Sequence, residues 1–154
     1  MSHPPLAVGI RRLPHAHDLP LPKRASPGAA GFDLCAAVET PFELLPGKRV
    51  VVPTGFAFEI PPGWEGQVRP RSGLARRQGI TIVNTPGTVD SDYRGEIVIL
   101  LIHLGEEPYT IERGERVAQI VFAPVVQDLV FHEEDELSST ERGDRGFGST
   151  GRHG

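Results

Sequence analysis

The apolar runs in this chain are short, and turn chemistry cuts each one off. The interruptions LPGK (45–48), PPG (61–63), TPG (85–87), LGEEP (104–108) and ERGE (112–115) recur through a sequence of 154 residues that holds 18 glycines and 15 prolines. Glycine supplies positive φ and proline fixes φ, so these segments reverse the chain rather than continue a helix. Between them lie LAVGIRRL (6–13), GFDLCAAV (31–38), 50–60, 64–69, ITIVN (80–84), EIVILLIHL (96–104), YTI (109–111), RVAQIVFAPVV (116–126) and DLVF (128–131). Several alternate with a period of two: Phe56, Phe58 and Ile60 against Ala57 and Glu59, and Trp64, Gly66 and Val68 on one face of the next run. Many short strands at this spacing predict an all-β sandwich, barrel or jelly roll. A parallel α/β sheet needs crossover helices for which the chain leaves no room. One short helix is expected where Ser72 can cap GLARRQ, with Gly79 as its stop.

After Phe131 the pattern lapses. HEEDELSSTE (132–141) is acidic and polar and reads as a solvated linker. The stretch 142–154, RGDRGFGSTGRHG, holds five glycines, three arginines and one large aromatic, Phe147. Almost nothing there can be buried, so ordering it has no hydrophobic offset. Its cations, backbone N–H groups and ring match a phosphorylated base, which predicts an arm that orders around a nucleotide. The expected division is a folded body over 1–131 and a linker plus arm over 132–154.

Charge and cysteine content narrow the partners. The formal net charge is −4, which disfavours a nucleic-acid partner. The basic spots are small: Arg69, Arg71, Arg76 and Arg77 in the middle of the chain, and Arg142, Arg145 and Arg152 at its end. Such spots suit a small anion. One cysteine, Cys35, excludes a disulfide framework within the chain and points to a reducing compartment. With no apolar run long enough for a signal peptide or a bilayer span, a cytoplasmic protein without a membrane partner is expected.

Three motif matches carry nothing. GFGSTG (146–151) satisfies G-x-G-x-x-G but has no helix after it. RGD (142–144) lacks a secretory context. The histidines, His15 and His17 included, show no third ligand at metal spacing. Two local features remain open. The start of the 72–78 helix beside Arg71 is either an anion site or a plain connector. NTPGTVDSDYRGE (84–96) is either an ordinary hairpin tip or a site. In the second reading Asn84 meets a base edge, Asp90 deprotonates a water and Tyr93 packs under a sugar.

Taken together, five segments in order resemble the five motifs of the trimeric deoxyuridine triphosphatases. They are AGFDLCA (30–36), PRSGLA (70–75), 84–96, RVAQIVF (116–122) and RGDRGFGSTG (142–151). Departures are mild: Val89 stands where isoleucine is commoner, and Cys35 fills a variable position.

The resemblance implies a β jelly roll forming a homotrimer with shared sites, the arm of one copy crossing to a neighbour. It implies hydrolysis of dUTP to dUMP and pyrophosphate, with Asp90 activating water opposite the α-phosphorus. It further implies dUMP supply for dTMP synthesis and the exclusion of uracil from DNA. Mg²⁺ would be carried by the triphosphate, with Asp33 holding its waters. Arg71, Ser72 and Gly73 would cradle phosphates. Gln119 would meet phosphate or the nucleophile, and Arg142 the γ-phosphate. Asn84, Gly87 and Val89 would frame uracil, Tyr93 would exclude a 2′-hydroxyl, and Phe147 would stack on the base. Gly148, Ser149 and Thr150 would add phosphate contacts, and Arg145 has no assigned role. The nearest rival, the related dCTP deaminases, lacks support from the 84–96 hairpin and the Phe147 arm.

Overall fold

A computed structural model describes residues 5–146. Ten strands account for most of the regular structure. They are β1 (Gly9–Arg12), β2 (Phe32–Cys35), β3 (Phe42–Leu44), β4 (Arg49–Glu59), β5 (Trp64–Arg69), β6 (Ile80–Ile82), β7 (Gly87–Val89), β8 (Glu96–His103), β9 (Tyr109–Ile111) and β10 (Arg116–Pro124). One four-stranded sheet has the order β1-β4-β8-β6, a second β2-β10-β5-β7, and β3 pairs with β9. The pairings are antiparallel. Consecutive strands jump between sheets, as in a jelly-roll-like body.

The alternation read from the sequence sorts side chains as expected. Phe56, Phe58, Ile60 and Val68 are buried from β4 and β5, and they meet Leu34, Val52, Ile99, Leu101, Val117 and Ile120 in one core. Each such side chain contributes about 1.5–3 kcal/mol on burial. Phe122 packs edge-on against Phe32 and Phe58, with centroids 6.0 and 5.9 Å apart. Ala57 is buried as well, so β4 has no open face at this point. A 3₁₀ turn, Pro14–Ala16, packs on β4 nearby and brings Ala16 and Leu19 together with Ala37 as a small second cluster. Gly55, at φ +75°, makes that contact possible: a Cβ there would overlap the Cβ of Ala16.

The helix α1 runs Ser72–Gln78 and stops at Gly79, whose φ is +68°. Its N-cap residue is Arg71, with no side-chain cap, so Ser72 is the first helical residue rather than the cap. Gly79 also lies against Gly105, where a Cβ would come within 2.6 Å of the Gly105 nitrogen. His103, 1% exposed, is a core histidine with both ring nitrogens engaged. Its Nδ1 accepts from Gly105 N–H at 3.1 Å and its Nε2 lies 2.7 Å from the Glu107 carbonyl oxygen.

Two strands escaped the sequence pattern, β3 and β7, each three residues long and set beside turn-prone segments. The run 128–131 forms no strand, and Val126, Leu129, Val130 and Phe131 stand 58–95% exposed. An apolar run makes a strand only where a sheet edge receives it, and among the described residues none does. Beyond Pro124 the described residues carry no helix or strand.

Candidate functional site

The hairpin 84–96 is built by β7 and β8. Short β7 joins the second sheet through β5, with Gly87 opposite Val68 and Val89 opposite Gly66. Long β8 belongs to the first sheet and opposes β4. The hairpin therefore bridges the two sheets, and a cavity of about 240 Å³ opens between its arms. Asn84, Gly87, Thr88, Val89, Asp90, Tyr93 and Glu96 line it, over a floor of Val68, Ile82, Ile97 and Ile99. Gly87 and Val89 are buried, and Asn84 and Asp90 are exposed at the mouth. A Cβ on Gly87 would come 3.3 Å from the Asn84 amide nitrogen and 3.4 Å from Val68, so glycine keeps the floor open.

Local hydrogen bonds fix the tip. Tyr93 N–H donates to the Asp90 carbonyl oxygen at 3.2 Å, and the Tyr93 hydroxyl donates to the Glu96 carbonyl oxygen at 3.0 Å. The tyrosine ring lies across Gly95, where a Cβ would collide with it. Arg94 turns outward, donating to the Ser91 and Tyr93 carbonyl oxygens. Asp90 thus projects from a turn whose backbone is held on both sides.

A second group of expected residues gathers on the other sheet. Gln119 of β10 lies directly between Asp33 of β2 and Arg69 of β5. Both oxygens of Asp33 are engaged: Arg71 Nε donates to Oδ1 at 3.1 Å and Arg116 Nη1 to Oδ2 at 3.2 Å. Arg71 also donates to the Arg116 carbonyl oxygen at 3.2 Å. Gln119 Nε2 donates to the Pro70 carbonyl oxygen at 3.0 Å. Gly31 has no room for a side chain, because a Cβ there would collide with the Gln119 amide oxygen. Ser72 and Gly73 follow at the start of α1, where Gly73 packs near the Arg77 guanidinium.

The two groups share a sheet but not a pocket. In the strand register, Arg69 sits beside Gln119 and Val68 beside Gly87, while Asp90 continues beyond Val89 toward the opposite end of β5. At ~4.8 Å per strand and ~3.3 Å per residue, Asp90 lies roughly 15 Å or more from Asp33 and Gln119 in the same copy. The cavity around Asn84 and Asp90 contains none of Asp33, Arg71, Ser72, Gly73 or Gln119.

Arg142 is exposed, and its guanidinium Nε donates to the Arg145 carbonyl oxygen at 3.0 Å. Arg145 Nε returns a bond to the Arg142 carbonyl oxygen at 3.1 Å. This is a local turn. Phe147, Gly148, Ser149 and Thr150 lie outside the described residues.

Sequence reasoning did not find Arg116, which grips Asp33 from 83 positions away, nor the steric role of Gly31. Neither leaves a local signal, because both depend on the β2–β10 pairing. Among the described residues no cluster of three His, Cys, Asp or Glu forms a metal cage. No described helix is long and apolar enough to cross a membrane. Cys35 is half-buried, and burial pushes its thiol pKa up, away from nucleophile chemistry. Another cavity, of about 620 Å³, is mainly apolar, lined by Phe32, Phe58, Trp64 and Phe122 with Leu6 and Val8. It holds none of the expected site residues.

Comparisons with known proteins fit this geometry. The family model dUTPase matches residues 17–151. A deoxyuridine 5'-triphosphate nucleotidohydrolase of Rhizobium johnstonii is 62% identical over 146 residues, covering 94% of this chain and 93% of the relative. One from Methylocella silvestris is 57% identical over 149 residues, covering 96% and 92%. Among solved structures, the Staphylococcus bacteriophage 80alpha dUTPase with dUpNHpp superposes with a TM-score of 0.82 at 27% identity, covering 95% of this chain and 99% of that one. A dUTPase of phage phi11 of S. aureus, described with a structural Mg(II) ion, matches in fold with a TM-score of 0.75 at 23% identity, covering 86% and 99%. On the family match and on the identity across nearly the whole chain, this protein belongs to the dUTPase family.

Proposed function

We propose that the protein hydrolyses dUTP to dUMP and pyrophosphate, with uracil and deoxyribose in the 84–96 cavity and the triphosphate on the Asp33–Arg71–Gln119 ledge of another copy. One observation carries this reading. The cavity puts an amide (Asn84), a carboxylate (Asp90) and a phenol (Tyr93) around a floor of backbone and small apolar groups. That set suits a neutral base and a sugar, with the carboxylate at the exit where a phosphate would begin.

Each side chain then has a task. Asn84 and neighbouring backbone groups hydrogen-bond the base edge, while the tight floor at Gly87 and Val89 leaves no space for a 5-methyl group. Tyr93 packs on the sugar and excludes a 2′-hydroxyl. Asp90 takes a proton from a water as its oxygen bonds to the α-phosphorus. The bond from that phosphorus to the bridging oxygen breaks, and pyrophosphate leaves with the electron pair. Arg71, with the backbone of Ser72 and Gly73, offsets phosphate charge, and Gln119 orients a phosphate oxygen or the water. Arg142 meets the γ-phosphate. Phe147, Gly148, Ser149 and Thr150 close the site and exclude bulk water.

Mg²⁺, when bound, would neutralise and preorganise the triphosphate. The donor set fits an ion carried by the substrate: a lone carboxylate, Asp33, already bonded to two guanidiniums, can accept hydrogen bonds from metal-bound waters without surrendering either partner.

Several features support a homotrimer. The cavity and the ledge lie too far apart to serve one substrate within a copy. The outer face of the first sheet exposes Val51, Val83 and Val98, and the 125–131 run leaves Val130 and Phe131 71% and 95% exposed. Copies meeting on these surfaces would complete the site and cover the apolar residues. The body is 1–131 and the linker and arm 132–154, in a cytoplasmic enzyme that supplies dUMP and keeps uracil out of DNA.

The experiment is pyrophosphate release from dUTP with Mg²⁺ in ¹⁸O-labelled water. Equal amounts of dUMP and pyrophosphate, with the label in dUMP, are expected. Label in pyrophosphate would place the attack on the β-phosphorus and remove Asp90 from its role. Ammonia from dCTP would identify a deaminase instead.

A further inference from the structure

Glu96 closes the 84–96 hairpin, and its side chain points away from the turn into a break in β4. The β4–β8 ladder is regular from Arg49 to Pro53 and resumes only at Ala57, opposite Glu96. The bulge frees the Gly55 N–H from the ladder. Glu96 Oε1 accepts from it at 2.7 Å. The same oxygen lies 2.9 Å from His15 Nε2, with the two side chains 23% and 35% exposed. A carboxylate only accepts, so His15 donates from Nε2. His15 rides on the Pro14–Ala16 turn, which is pinned to the same bulge: Leu13 N–H donates to the Gly55 carbonyl oxygen at 2.8 Å, and Ala16 fills the space a Gly55 side chain would need. On the other side of the bulge, the Thr54 hydroxyl donates to the Ile97 carbonyl oxygen at 2.6 Å. The carbonyl of Glu96 itself receives the Tyr93 hydroxyl.

We propose that Glu96, clamped by His15 and the Gly55 N–H, is a positioning residue that fixes the Tyr93 ring and so sets discrimination against ribonucleotides. The idea rests on the reading of Tyr93 as the sugar-facing residue. Exclusion of one hydroxyl requires the ring to stay within tenths of an ångström of its place. The Tyr93 hydroxyl bond alone cannot ensure that, because its acceptor is the first residue of a strand. The carboxylate anchors that residue to β4 and to the N-terminal turn, so the ring rests on three segments.

The test measures kcat and KM for dUTP and for UTP in four variants: Tyr93→Ala, Glu96→Ala, Glu96→Gln and His15→Ala, each with a thermal melt. Glu96→Ala should lower the dUTP/UTP ratio of kcat/KM about tenfold. Glu96→Gln keeps an oxygen for Gly55 and should recover most of the ratio; His15→Ala stands in if Glu96→Ala does not fold. His15→Ala should cost less than Glu96→Ala, and their effects should be non-additive in a double-mutant cycle. If Tyr93→Ala destroys discrimination while Glu96→Ala, or His15→Ala where Glu96→Ala does not fold, retains the parent ratio, the positioning role is wrong. If Tyr93→Ala itself leaves the ratio unchanged, the sugar reading has failed. A kcat loss in Glu96→Ala equal for both nucleotides, with the ratio intact, would assign Glu96 to structure alone and also overturn the proposal.

Discussion

The hairpin cavity and the Asp33 ledge sit on the same sheet but are held by different forces. In the hairpin the backbone and the Tyr93 ring are fixed and the reactive carboxylate is left open: the Tyr93 N–H and hydroxyl both donate to main-chain carbonyls, and Asp90 is exposed. On the ledge the functional side chains bind one another, with Asp33 between Arg71 and Arg116 and Gln119 on the Pro70 carbonyl. A neutral base can enter a cavity shaped in advance. A triphosphate must share guanidiniums that already hold a carboxylate. The hairpin should therefore govern selectivity and the chemical step, and the ledge affinity and alignment.

The sharpest break of this contrast is Asp90→Asn. The amide keeps the shape and loses the base, so kcat should fall by about 10²–10⁴ while dUTP binding persists. Binding by titration calorimetry alongside single-turnover rates would check it, and near-normal turnover would remove Asp90 as the base. Next comes deletion of residues after Leu137. The described part of that segment is exposed and makes hydrogen bonds within itself, so the melting temperature should hold. Turnover should drop about a hundredfold if the arm excludes water and brings Arg142 to the phosphates. A fully active truncation would confine catalysis to hairpin and ledge.

The ledge can be perturbed without touching charge. Gly31→Ala places a methyl group where the Gln119 amide oxygen lies. Gln119 is flexible enough to move, so the fold should survive, but its amide would leave the Pro70 carbonyl. A loss of about tenfold in kcat/KM for dUTP is expected, with unchanged dUTP/UTP selectivity. A changed selectivity would mean that the ledge and the sugar pocket are one unit, contrary to the division drawn above.

The sequence carried the strands because alternation such as Phe56-Phe58-Ile60 is local, and it carried the helix stop because Gly79 needs φ +68°. The cavity residues were legible for a similar reason: Asn84, Asp90 and Tyr93 belong to one hairpin, so chain proximity is spatial proximity. What was lost lies across strand pairs. Arg116 meets Asp33, and His15 meets Glu96, at separations of 83 and 81 residues. No window of sequence contains both partners. Strand β7 was lost for a different reason: GTV is too short to show a period and is a strand only because β5 lies beside it. Conversely, DLVF has strand composition and no strand partner among the described residues.

The smallest effect concerns a carboxylate–guanidinium pair remote from the hairpin and the ledge. Arg113 Nε donates to Asp18 Oδ2 at 3.1 Å, and its other nitrogens reach the carbonyl oxygens of His15 and Val38. The guanidinium, followed by a backbone hydrogen bond, holds the Asp18 carboxyl down at about 2 from the ordinary 3.8. A carboxyl whose pKa is depressed by folding adds stability that is fully present above its unfolded value. That stability drains away as pH falls from about 4 toward 2. The pair is exposed, so the gain is small and salt-sensitive. Melting temperatures of the parent and Asp18→Asn should differ modestly at pH 5, converge as the pH approaches 2, and differ less in high salt. Because the pair touches neither the cavity nor the ledge, kcat/KM for dUTP at neutral pH should not change. If it did, the N-terminal turn would be acting on the hairpin through His15 and Glu96, and structural and functional anchors could no longer be separated in that corner of the molecule.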